Sequence, residues 1–135
     1  MTYILAYVGT VVTFLGLDFL WLGKVATGFY RSRIGSLLLD QPNFIAAGIF
    51  YLFYVAGIVY FAVQPALVTG NWTTAAIAGA ILGFIAYGTY DMTNLATLKN
   101  WSPIVVIVDM AWGTVLTSVS AVAGYWMAQK FSSSL

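Results

Sequence analysis

Residues 43–63, NFIAAGIFYLFYVAGIVYFAV, run without a single charge. A bilayer-spanning helix needs about 20 mostly apolar residues, and this stretch supplies them. Working outward from it, three further segments meet the same length: 3–23, 74–97 and 103–127. The sequence therefore predicts an all-α fold, one four-helix transmembrane bundle occupying 1–135 as a single domain. The first segment is expected to be a span and not a cleavable signal peptide, because it lacks a basic start, is too long for an h-region and carries Asp18 near its end.

Composition supports lipid as the solvent. The chain is 61% hydrophobic and 7% charged, whereas a soluble domain has roughly a quarter of its residues charged. A net charge of +1 provides no basic field for nucleic acid. There is no histidine, cysteine or glutamate, which excludes His-ligated metals, thiol chemistry, disulfides and any Ser-His or Cys-His pair.

Boundary residues agree with the segment limits. Pro42 and Pro103 stand at helix starts, where a missing N–H costs nothing, and Ser102 is placed to cap the fourth helix. Pro65 is expected to help stop the second. Trp72, Trp101, Tyr125 and Trp126 fall near helix ends, where amphipathic rings suit the headgroup level. Lys24, Arg31, Arg33 and Lys99 occupy the first and third connections, against Lys130 on the other side. The excess of basic residues places those two connections in the cytoplasm of a plasma (inner) membrane and both termini outside.

The first connection, KVATGFYRSRIGSLLLDQP at 24–42, is too long for a turn and mixes aromatic, basic and leucine residues. It is expected to lie in the interface as a short amphipathic helix. Lys24, Arg31, Arg33 and Lys99 are candidate headgroup contacts: they set topology and attract anionic lipid, with a direct grip on a phosphate or carboxylate as the alternative for the two arginines. Asp40, just before Pro42, reads as a helix cap.

Three carboxylates remain inside the spans. Asp18, Asp91 and Asp109 each lie roughly 8–9 Å from a helix end at about 1.5 Å per residue, and all three ends are on the basic side. They should form one layer there. Such residues normally face the bundle interior and mark function. Tyr87, Asp91 and Asn94 share one helix face, while Thr89, Thr93 and Thr97 lie opposite, able to bond back to their own helix. Asp109 aligns with Gly113, Ser120 and Gly124, small residues that let helices approach closely. Tyr51 and Tyr54 lie a turn or two deeper on the second span. DFLWLG at 18–23 and DMAWGT at 109–114 both set a tryptophan three residues after an aspartate, so Trp21 and Trp112 are expected to offer indole N–H groups to carboxylates across the layer. The polar-site candidates are thus Asp18, Asp91, Asp109, Asn94, Tyr87, Tyr51, Tyr54, Trp21 and Trp112.

FYLFYVAG, YGTYDMTNLATLKNW, VDMAWG and DFLWLG resemble the small bacterial membrane-protein family catalogued as domain of unknown function twenty-one seventy-seven, over nearly the whole chain. The resemblance implies four spans and no established activity, and gently favours a role connected with lipid. From the residues three functions stand open: a polar site for a proton, cation, small polar group or lipid headgroup, with transport as its extension; an accessory subunit held to other membrane subunits; or an enzyme of membrane-lipid metabolism. No catalytic pairing or cofactor fingerprint is visible, so catalytic residues and cofactors are left unassigned. The one metal the oxygen ligands suggest is Mg²⁺. NWT at 71–73 reads as a chance glycosylation match, and SSSL at 132–135 as a frayed tail.

Overall fold

The computed structural model describes residues 1–39 and 42–132. Helix α1 (Thr2–Leu20) continues through a π-helical segment, Trp21–Ala26, into α2 (Thr27–Ile34) and a short 3₁₀ turn, Gly35–Leu37. Helix α3 (Phe44–Ile58) runs through a second π segment, Val59–Val63, into α4 (Gln64–Thr69); α5 (Trp72–Thr97) and α6 (Pro103–Ser132) complete the chain. Four of the resulting helices are long and apolar enough to cross a membrane: Thr2–Lys24, Phe44–Thr69, Trp72–Thr97 and Pro103–Phe131. The cap expected at Asp40 and the end of the expected tail, 133–135, lie outside the described residues.

Local chemistry explains the boundaries. The Ser102 hydroxyl accepts from the Val105 N–H at 3.3 Å, and the Asn43 and Asn71 side chains accept from the N–H groups of Ala46 and Thr73, each at 3.0 Å. Each thereby satisfies an amide that an isolated helix start would leave unpaired. Asn71, the nominal glycosylation acceptor, is thus a helix cap. Pro65 does not end the second span. The helix runs through it and stops at Gly70, whose φ of +69° a side chain would disfavour. The π segment immediately before Pro65 loosens the regular i to i−4 ladder at the place where proline removes a donor and crowds the preceding turn.

Helix α6 is the hub. It packs along most of its length against α1 on one side and α5 on the other, and it is the most buried of the four spans, the second being the least. Small residues bring the backbones together: a Cβ on Gly83 would collide with the Gly113 carbonyl and Thr117, one on Gly113 with the Tyr87 ring, and one on Gly124 with Thr10. The Ser118 hydroxyl donates to the Ala76 carbonyl across the α5–α6 seam at 2.8 Å. The core between these helices is built from Phe14, Val55, Ile58, Leu116 and a set of buried alanines.

The second span joins this core unevenly. Its outer half, 59–69, packs against α5 and α6, whereas α3 leans mainly on α1 and leaves Phe44, Ile45, Phe50 and Phe53 exposed. A second, smaller core closes the basic end: Ile34 of α2 packs with Trp101, Val105 and Val106. Trp72 and Trp126 are half exposed at the other end with ring centroids 6.2 Å apart, as belt residues should be. Trp101 and Tyr125 are buried instead, Trp101 against Ile34 of α2 and Tyr125 within the main core, packing that the sequence pattern alone does not show.

Candidate functional site

The polar groups of the spans meet at the basic end in two linked hydrogen-bonded arrangements and one unpaired group. Trp112 Nε1–H donates to Asp18 Oδ1 at 3.2 Å, so the tryptophan of the second DxxW sequence serves the aspartate of the first. In return, Trp21 Nε1–H donates to the Tyr30 hydroxyl at 3.2 Å, and that hydroxyl donates to Asp109 Oδ1 at 2.8 Å. The two indoles are stacked, with centroids 4.4 Å apart and planes 9° from parallel. Each motif therefore reaches toward the other's carboxylate, one directly and one through a tyrosine.

Tyr30 belongs to α2, outside the spans, and the sequence reading passed over it. Burial pushes its hydroxyl above the ordinary tyrosine range, and the neighbouring Asp109 charge pushes the same way; the group stays a proton donor. Seventy-nine positions separate it from Asp109, so helical spacing could not have paired them. The only sequence signal is an aromatic pair set among basic residues in a connection too long for a turn.

Asp91 is different. It is 0% exposed, and neither carboxylate oxygen has a hydrogen-bond partner. The Asp109 carboxyl is its charged neighbour. Isolated ionised carboxylates in a low-dielectric interior are strongly disfavoured, and two facing each other more so. The Trp101 indole N–H, at the start of α6, is also buried and unpartnered.

Two cavities meet at this wall. A lateral cleft of about 530 Å³ is lined by Asp18, Trp21, Tyr51, Tyr87, Asp109 and Trp112, among others, and opens past the exposed Phe50 and Tyr90. The second, about 620 Å³, lies beneath α2 and is lined by Arg31, Tyr90, Asp91, Trp101, Asp109 and apolar residues that include Phe19, Leu38 and Phe44. Tyr30, Tyr90, Leu22 and Asp109 line both.

The remaining candidates fall around this arrangement. Tyr51 sits beside Asp18 and stacks edge-on against Phe14 at 5.4 Å. Tyr54 shares a 2.9 Å hydrogen bond with Thr117, about two helical turns along α6 from Asp109, and meets Tyr87 edge-on at 6.5 Å. Asn94 reaches Tyr90 and lines neither cavity. Thr89 and Thr97 bond back to the carbonyls of Ile85 and Thr93, each at 2.8 Å. Arg33 lies over the Phe29 ring at 4.2 Å; Lys24 and Lys99 are exposed. Among the described residues no group of three or more acids converges as a metal-binding set: Asp109 stands between Asp18 on one cleft and Asp91 on the other, which makes the expected single layer two pairs with a common member.

No curated protein and no solved structure matches the chain. Residues 3–126 match the family model described as "Predicted membrane protein (DUF2177)"; the chain belongs to this family of predicted membrane proteins.

Proposed function

We propose that the protein is an intramembrane binding protein whose Asp91–Asp109 pair holds a proton or small cation, presented by Asp109 to both clefts. The observation that carries this reading is Asp91: fully buried, with both oxygens unpartnered and a second carboxyl facing them. A proton or cation between the two groups removes the repulsion and supplies the missing partner. By the distribution of basic residues the site faces the cytoplasm, and its position between two cavities suits exchange of the bound ion or, by extension, its transport.

Adhesion is the second reading, and it has its own support: Asp18 and Asp109 are paired with Trp112 and Tyr30 across helices. Hydrogen bonds of this kind within membranes contribute on average under about 1 kcal/mol. They account for two of the acids and leave Asp91 without a role. An accessory subunit would need the first two pairs only.

The test is infrared difference spectroscopy of the purified protein between acidic and alkaline pH, together with melting in Na⁺, K⁺ and Mg²⁺. A carboxylic-acid carbonyl band that vanishes in Asp91→Asn, or cation-dependent stabilisation lost in the same variant, is expected. If the parent shows neither band nor cation dependence, the reading falls.

A further inference from the structure

The cavity beneath α2 has a polarity pattern of its own. It is bordered by the exposed Arg31 of α2 and by Trp101, whose indole N–H is buried and unpartnered. On its inner wall lie Asp91 and Asp109, which among them leave acceptor oxygens unmet. Phe19, Leu22, Leu38 and Phe44 line the remainder, and all four are exposed on the surface of the bundle. A basic residue, an unpartnered N–H donor, two acids and exposed apolar side chains thus border one cavity of about 620 Å³, within the roughly 300–1,000 Å³ range of sites that take small molecules.

We propose that this cavity binds a single-chain anionic phospholipid. Its phosphate would engage Arg31 and the Trp101 N–H, the free glycerol hydroxyl would donate to the Asp109–Asp91 wall, and the chain would leave over Phe19, Leu22 and Phe44 into the bilayer. Arginine favours phosphate because its planar fork presents several donors at once. Below its phosphate, a diacyl lipid offers only ester oxygens. These are acceptors, and they would meet a wall that is itself richer in acceptors than donors even with one proton shared. Removing one acyl chain exposes a hydroxyl at that level. The single-chain lipid thus supplies a partner for each unpaired group: an acceptor for Trp101, a donor for the acids and a counter-charge for Arg31.

Asp91 and Trp101 lie flush behind the cavity wall, so a ligand reaches them by rotation of a lining side chain. Tyr90 is the residue placed for this. It is exposed, edge-on to Trp101 at 5.7 Å, and borders both cavities.

This inference rests on the acid-pair reading only in taking Asp91 and Asp109 as available, and the variants that test it leave both in place. Protein in phosphatidylcholine nanodiscs is titrated with monoacyl phosphatidylglycerol, diacyl phosphatidylglycerol, monoacylglycerol and inorganic phosphate, with bound lipid counted by native mass spectrometry. The monoacyl phospholipid is expected to bind at least tenfold more tightly than the other three. Trp101→Phe, which keeps the ring and removes the donor, and Arg31→Gln are each expected to weaken it about tenfold, with unchanged helicity and elution. Equal binding of the diacyl lipid overturns the single-chain assignment, and equal binding of phosphate or monoacylglycerol overturns the lipid or the anion. Full binding by both folded variants, or no binding by the parent, overturns the site. A parent protein that binds no lipid yet shows the acid-pair infrared band rejects this inference and spares the earlier reading.

Discussion

At the scale of single residues, the three intramembrane acids differ in what each would lose. Asp18 accepts from the part-buried Trp112 indole N–H, so Asp18→Ala leaves that donor unpaired and is expected to cost about 1 kcal/mol or more, read as a lower melting temperature in detergent. Asp91 has no partner to lose, and Asp91→Asn is expected to melt no lower than the parent and up to about 1 kcal/mol above it. The same measurement on Tyr30→Phe should show a loss of about 1 kcal/mol or more, because both Trp21 and Asp109 forfeit a hydroxyl. The DxxW spacing made an indole–carboxylate pairing across helices legible in the sequence, since the same short pattern on oppositely directed helices can set each tryptophan level with the other helix's aspartate. Which acid stays unpaired was not legible. That depends on rotamers and on neighbours from three other helices, and the tyrosine that claims Asp109 comes from a connection rather than a span.

At the scale of elements, the α5–α6 seam is held by the absence of side chains. Gly83→Ala and Gly113→Ala are expected to destabilise by about 1–3 kcal/mol, since each added methyl meets backbone or a packed ring on the facing helix. Gly48→Ala, with open space where its Cβ would lie, should be neutral or stabilising by up to about 1 kcal/mol; thermal melting of the three variants checks the contrast. Span positions followed from apolar length because bilayer thickness fixes it. The end of the second span did not, because proline is a reliable stop only where the ladder around it stays regular. A π segment preceding Pro65 carries the helix on to Gly70. A second π segment, Trp21–Ala26, lies beside the acids and turns Trp21 onto Trp112, in keeping with the frequent placement of such bulges at functional sites.

For the whole molecule, three helices form the packed body and the second span is attached by its outer half. Its even apolar composition gave no warning, since a helix that faces lipid and one that faces protein can be equally hydrophobic. Spin labels at 50 and 89, on opposite walls of the lateral cleft, are expected to report a broad distance distribution that narrows if a ligand draws the walls together; a narrow distribution in the empty protein would show a rigid cleft. The absence of cysteine makes each labelled variant free of background. The same property allows topology to be read directly: a membrane-impermeant thiol reagent should reach Asn71→Cys from outside the cell and Asn100→Cys only after the membrane is opened, the reverse result inverting the orientation that the basic residues imply.

The parallel indoles of Trp21 and Trp112, 4.4 Å apart, also give the protein an optical gauge. Two chromophores so close and so nearly parallel couple their electronic transitions, and the coupled pair absorbs circularly polarised light differently from either ring alone. One ring follows α1 and the other lies on α6, and both line the lateral cleft. Opening or filling that cleft should change the near-ultraviolet signal without any label, so the movement of an unmodified protein can be followed in a cuvette as its ligand is added.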